Sequence, residues 1–409
     1  SARISTHERH NMIQRRFWLL LFGLIVLFNC QKDRPLPTGY ETLFGNREGQ
    51  IANTTIFTSF GSETGFSRTI NTGNGYNLLI GNYQNYRLAI YLKFSNLPDS
   101  ARIHEAKLYL KSNTIDSTLL SPDRAFDMAI YRANYQWDNE QDPEAYLDQL
   151  PFFGPYLKIE TVAPDSVGKI VLQLDAGLVT DWADTTTGAP NYGIWITSPS
   201  LIGLRSFYSV ENADATVKPQ LTFIYTPKDS SASFRDTTTV TASADAFLVI
   251  NPNEVTGGLD PNFIYVGKGL AFRSVIRFDL SQLDSTTHIN RALLKIVVNS
   301  GRSFPSISAA SETYILRKAE ISTIKGEIDE NPSTSGFTGT LSDSTLTFDV
   351  TSVVQGWLNN NFPNYGFLVR SLNETQSLAR VAFYSSKSGL TNLQPRLELY
   401  YTTPARQEF

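Results

Sequence analysis

The sequence predicts an all-β protein: two tandem antiparallel β-sandwiches of jelly-roll-like form, behind a signal peptide and a flexible tether. Three observations carry that expectation. The chain after residue 50 is written twice, as blocks recurring in one order. Within the blocks, apolar and polar residues alternate, the period-2 mark of a strand with one buried face. Composition agrees, because only 18% of residues are charged while Tyr, Phe, Thr and Ser abound, a mixture suited to pleated, half-buried surfaces.

The elements follow in chain order. Met12, Arg15 and Arg16 open a positive region, and Phe17 to Phe28 form an uncharged apolar run. That run is well short of the ~20 residues needed to span a bilayer, so it reads as a signal-peptide core. Residues 1–29 are therefore expected to be leader and signal peptide, with 1–11 preceding the plausible start at Met12. Cys30, the single cysteine, excludes an intramolecular disulfide framework. Residues 30–49, with Pro35, Pro37, Gly39, Gly45 and Gly49, read as a tether.

The repeat spans 50–227 and 234–403, joined by a polar linker at 228–233 and followed by a tail at 404–409. YLKFSNLPDSARIHEAKLYL at 91–110 aligns with VIRFDLSQLDSTTHINRALLKI at 275–296, the second copy carrying two extra residues. Phe94 then matches Phe278, and Ala106, Leu108 and Leu110 match Ala292, Leu294 and Ile296. Further on, Leu172–Asp175 with Trp182 match Leu346–Asp349 with Trp357. PNYG recurs at 190–193 and 363–366, Phe-Tyr-Ser at 207–209 and 383–385, and a proline, Pro219 or Pro395, precedes each last strand. Helical turns are expected at 177–183 and 352–358, with Asp175 and Thr351 or Ser352 as caps. At this length each copy can bury its own core.

These ordered blocks resemble the DNRLRE family, most closely in VIRFDLSQL, TFDVTSVVQGWL, NYGFLV and QPRLELYY of the second copy. Leu27-Phe28-Asn29-Cys30 resembles a bacterial lipobox, and Gln31-Lys32-Asp33 looks like a short export signal to the outer face of the outer membrane. The resemblances imply a jelly-roll carbohydrate-binding-module-like fold, acylation at Cys30, and an exported lipoprotein facing the cell exterior. Some members of the family are associated with acidic polysaccharides. Several acyl chains would anchor firmly, at about 0.8 kcal/mol per buried methylene.

Charge and motifs narrow the chemistry. A net charge of −4 and a pI near 5.7 give no basic footprint for nucleic acid. His104-Glu105 lacks a second histidine at position 108, which is Leu, so no zinc-protease motif forms. No nucleophile elbow, P-loop or dinucleotide fingerprint occurs, and no catalytic residue is assigned. Asp175 and Asp349 are read as helix-turn caps or as ligands of a structural Ca²⁺.

Ligand candidates are aromatic. Tyr131, Tyr135 and Trp137 open an aromatic-rich segment at 131–156, either a sugar platform or cover for a sheet edge. Trp195 falls by alternation on the face opposite Ile194 and Ile196, a platform if that face is open. The expected function is a non-catalytic surface lipoprotein binding polysaccharide or matrix glycan. The alternatives are a structural or adhesive subunit with a protein partner, and a polysaccharide-degrading enzyme.

Overall fold

The computed structural model describes residues 50–404 except 67–71, 85, 114–124, 135, 138–156, 164–167, 185, 187–189, 251–258, 270–271, 305–313 and 320–335. The leader, Cys30, the tether and Tyr135 therefore lie outside the described residues. Residues Asn53–Thr403 form one compact unit.

The fold is all-β and antiparallel, as the alternation predicts. The first repeat supplies β1 (Gln50–Thr58), β2 (Gly61–Phe66), β3 (Asn77–Tyr83), β4 (Tyr86–Lys93), β5 (Arg102–Asn113), β6 (Phe126–Arg132), β7 (Lys158–Val162), β8 (Lys169–Leu174), helix α1 (Ala176–Ala183), β9 (Ile194–Thr197), β10 (Gly203–Tyr208) and β11 (Gln220–Thr226). The second supplies β12 (Asp236–Thr241), β13 (Ala244–Ile250), β14 (Phe263–Lys268), β15 (Phe272–Arg277), β16 (His288–Phe304), β17 (Tyr314–Lys318), β18 (Phe337–Thr338), β19 (Thr340–Ser342), β20 (Thr345–Asp349), helix α2 (Thr351–Leu358), β21 (Phe367–Ser371), β22 (Ala379–Tyr384) and β23 (Arg396–Pro404). The two lists follow the same order through the aligned blocks, the second carrying one further short strand, β19.

The strands pair in two groups, called stacks below. The first is one continuous sheet in the order β12-β11-β5-β10-β3-β4-β9-β6-β7, with β13 on β4 and β8 on β5. The second comprises the sheet β1-β23-β16-β20-β19, with β22 on β16 and β14 on β22, and the sheet β18-β17-β21-β15-β2. Leu108, Leu172 and Phe223 meet Ile90, Met128 and Ile196 in the first core. Leu294, Phe348 and Leu397 meet Ile276, Phe367 and Val369 in the second. Even the irregularities repeat: β5 and β16 each shift register in pairing with their last strand, at Ile224/Tyr225 and Ile289/Arg291. Such bulges add a residue without turning the apolar side outward.

The stacks do not follow the repeat boundary. β12 and β13, which open the second repeat, pair with β11 and β4 of the first. β1 and β2, which open the first repeat, pair with β23 and β15 of the second. Each stack is thus completed by the opening strand pair of the other repeat. The local bonds are equivalent: Ala242 N–H donates to Pro219 O at 2.9 Å, and Ser59 N–H to Pro395 O at 3.0 Å.

An apolar seam joins the stacks. Tyr265, Phe272, Phe304, Leu378 and Ala382 belong to the same buried cluster as Leu78 and Phe247. Phe304 lies 5.6 Å from Tyr83 and 5.5 Å from Tyr86, centroid to centroid, and the Arg380 guanidinium covers its ring at 5.1 Å. The recurring blocks set the corners. Asn191 donates to Phe94 O and accepts from Gly193 N–H, and Asn364 does the same with Phe278 O and Gly366 N–H. Gly193 and Gly366 sit at φ +82° and +97°, where a Cβ would overlap the carbonyl of Leu92 or Ile276. This explains PNYG.

Candidate functional site

At one end of the second stack, three segments enclose a cleft of about 660 Å³, within the usual range for small-ligand sites. The β15–β16 loop contributes Asp279, Leu280, Ser281, Leu283 and Ser285, and the turn after α2 contributes Asn360 and Asn364. Phe60, at the corner between β1 and β2, stands at its edge, and Trp357 and Leu358 of α2 line it.

Sequence and backbone explain the placement. Phe60 N–H donates to Arg277 O at 3.2 Å, and the neighbouring Ser59 hydroxyl donates to the same oxygen at 2.9 Å. That fixes the corner while leaving the ring 65% exposed. Trp357 is 6% exposed and packs on Phe367 at 4.6 Å. Asp279 Oδ1 accepts Ser281 N–H at 2.9 Å. The Ser281 backbone bond, then the Ser281 hydroxyl, holds this carboxyl below the usual range, so it is an anion and an acceptor at neutral pH. Asn360 adopts φ 56°, a left-handed conformation asparagine tolerates. The cleft combines aromatic and aliphatic surface with a rim of amide, hydroxyl and carboxylate groups.

At the same end of the first stack the loop is two residues shorter; Ser100 N–H reaches Ala183 O at 2.8 Å, and Ala101 is buried. Ser243 occupies the position of Phe60, with the Ser95 hydroxyl donating to its hydroxyl at 2.9 Å.

The aromatic residues singled out from the sequence gather elsewhere. Tyr91 lies 5.2 Å from Trp137 and 5.6 Å from Trp195, and Tyr131 lies 5.6 Å from Trp195. The Trp137 indole donates to Tyr192 O at 2.7 Å. Trp195 does occupy the face opposite Ile194 and Ile196, but that face is covered. Trp137 and Trp195 are only 2% and 4% exposed, packed with Ala89, Ala244, Ala246 and Leu248. A platform needs an open ring face, so these two tryptophans are outer-layer packing residues instead. Tyr131 is half-buried beside them.

Asp175 caps α1, accepting Leu178 N–H at 2.9 Å. Asp349 precedes α2 and accepts both the N–H and the hydroxyl of Thr351. Among the described residues, no three His, Cys, Asp or Glu side chains gather to hold a metal ion. Also among them, no helix is long and apolar enough to cross a membrane. His104 bonds Thr226 Oγ1 at 2.9 Å; desolvation, then Arg235 and Arg102, hold its pKa below the ordinary value.

The cleft residues escaped sequence reasoning, though two signals were present. One was the two-residue insertion in the second copy's loop. The other was an aromatic at position 60 where the aligned residue, 243, is serine.

No family model matches the chain, and no curated protein matches it. Among solved structures, the VP2 subviral particle of infectious bursal disease virus aligns at 10% identity with a TM-score of 0.11, covering 88% of this chain and 78% of that one. The Gx strain of the same virus aligns at 9% identity with a TM-score of 0.10, covering 87% and 78%. Scores this low carry no structural argument.

Proposed function

We propose that this chain is a non-catalytic glycan-binding protein: two β-sandwich modules of DNRLRE type, held at the cell surface through a lipid on Cys30. The observation that carries the binding is the cleft of the second stack. Sugars present apolar C–H faces and many hydroxyls, which call for an aromatic surface beside amide, hydroxyl and carboxylate groups. The exposed ring of Phe60 supplies the first, and Asp279, Ser281, Ser285 and Asn360 the second. The test is affinity electrophoresis of the full chain through gels containing acidic and neutral polysaccharides. Retardation by at least one polysaccharide, reduced by Asn360→Ala, is expected; unretarded migration in every gel would sink the reading.

A second reading is favoured by the strand exchange. A structural or adhesive subunit would use strand pairing across repeats to build assemblies. A stable protein partner recovered with the full chain, together with no glycan retention, would favour it.

A further inference from the structure

We propose that the cleft of the second stack takes uncharged sugar residues and turns away those bearing a carboxylate or a sulfate. The proposal rests on the glycan-binding reading and deepens it by naming the charge of the ligand.

The charge of the cleft comes from one loop. Among the described residues that line it, Asp279 alone is ionisable, and it is exposed. Ser281 N–H, at 2.9 Å, and then the Ser281 hydroxyl keep it an anion. Asp284 lies between the lining residues Leu283 and Ser285. It accepts the N–H and the hydroxyl of Thr286, both at 2.8 Å, and these bonds hold its carboxyl below the usual range as well. The loop therefore carries two negative charges. The cation nearest in the chain is Arg277, and its guanidinium is engaged with Glu63 at 3.0 Å. The turn after α2 adds no charge, since it reads Asn359-Asn360-Asn361-Phe362-Pro363-Asn364.

An acidic sugar in the cleft would set its anion beside Asp279, with no lysine or arginine among the described lining residues to receive it. Groups in one cleft lie within the screening length of about 8 Å at physiological ionic strength, so salt removes little of that repulsion. A neutral sugar meets no such penalty, and the polar groups suit it. A carboxylate has about four acceptor positions, and Ser281 takes only part of them. Sugar hydroxyls donating to the remainder form charge-assisted bonds, about twice as strong as neutral ones.

The two lining asparagines divide the remaining work. Asn364 is committed to the corner, donating to Phe278 O and accepting from Gly366 N–H. Asn360 is fixed through its backbone, whose N–H donates to Trp357 O at 3.1 Å. The residue itself is exposed, and its amide can donate to one sugar oxygen while accepting from another hydroxyl. The set on offer is one anionic acceptor, one amide and the hydroxyl of Ser285 beside the Phe60 ring. That set recognises a polyol and not an acid.

The experiment uses the full chain in detergent and beads coated with galactomannan, xyloglucan or mixed-linkage glucan. Matching beads carry the same polymers after oxidation of their primary hydroxyls to carboxylates. At least one neutral polymer should retain the chain, and its oxidised form should retain it about tenfold less at low salt. Asp279→Asn should narrow that ratio about threefold, and raising salt to about 1 M should narrow it for the parent chain, because screening then acts within about 3 Å. Asp214→Asn is the control: it removes an exposed carboxylate that accepts the N–H and hydroxyl of Thr216 in the first repeat, and it should leave the ratio unchanged. Equal or stronger retention by the oxidised polymers would overturn the proposal and leave glycan binding standing. A ratio that folded Asp279→Asn does not move would overturn it too; should that variant misfold, the salt series on the parent chain decides in the same way. No retention on any bead would sink the glycan-binding reading and this proposal with it.

Discussion

After the Phe-Tyr-Ser block of each repeat, one backbone N–H points at the borrowed strand. In the first stack Val210 donates to the carboxylate of Asp245, and in the second Ser386 donates to the hydroxyl of Ser62, both at 2.7 Å. The geometry is the same and the chemistry is not. Burial pushes the Asp245 carboxyl up to about 8, with Glu211 adding to the rise and the Val210 N–H and Lys218 opposing it. A hydroxyl carries no such titration. The outer face of the other layer differs in the same spirit. Around Ala89 the first stack packs Trp137 and Trp195. At the equivalent position of the second, Arg273 forms a buried two-pronged ion pair with Glu374, at 3.0 and 2.8 Å. One architecture tolerates an aromatic or an ionic cover, because the ladder and the inner core carry the fold.

Four experiments would break or sharpen that comparison. The largest effect is expected at the ion pair. Glu374→Ala removes the buried carboxylate that Arg273 and Arg370 share and should cost about 3–5 kcal/mol in urea unfolding. Adding Arg273→Ala, which restores the residue type of the first stack, should recover part of that loss; a single-variant loss below about 1 kcal/mol would show the pair to be dispensable. Next, Gly193→Ala and Gly366→Ala should each cost about 2–4 kcal/mol, since both sites combine positive φ with a carbonyl overlap. Destabilisation at only one of them would contradict the equivalence of the two corners.

The third experiment follows pH. Asp245 is protonated in the folded chain up to about pH 8, whereas an unfolded aspartate releases its proton near pH 3.9. Between these values the native state binds more protons than the unfolded one, so this group's contribution is full below about pH 4 and declines toward pH 8. The slope should approach 1.4 kcal/mol per pH unit. Asp245→Ser, borrowing the solution of the second stack, should flatten it; an unchanged slope in unfolding curves from pH 5 to 7 would assign the titration elsewhere. The smallest effect concerns binding. Phe60→Ser, which copies the residue at 243, should weaken polysaccharide retention about five- to tenfold, roughly 1 kcal/mol of aromatic contact. Equal retention by variant and parent would remove Phe60 from the site.

Much of this was legible in the chain itself. Alternation along 103–110 and 289–296 identified strands, and PNYG and Phe-Tyr-Ser stood out as blocks. Their work became visible only in three dimensions. Ser209 and Ser385, for example, each donate to a carbonyl just ahead of the strand paired with their own block, Gly75 O before β3 and Pro261 O before β14, both at 2.6 Å. The face of Trp195 was readable from alternation, but its cover was not, because Ala244, Ala246 and Leu248 arrive from the other repeat. The exchange was hidden for a related reason. β1 and β12 carry the same Thr-rich pattern, and a period-2 pattern specifies a face, not a partner. The cleft depends on the exchange as well, since Phe60 reaches the second stack only on a strand borrowed from the first repeat.

That borrowing has a consequence in time. Ribosomes add about 5–20 residues per second, so Asn53 is made tens of seconds before Thr403, whose hydroxyl its side chain meets at 3.5 Å. The first stack can mature once β13 has emerged. By contrast, β2 waits for β15 and β1 for β23, the last strand of all, so the ring of pairings shuts only with the final strand.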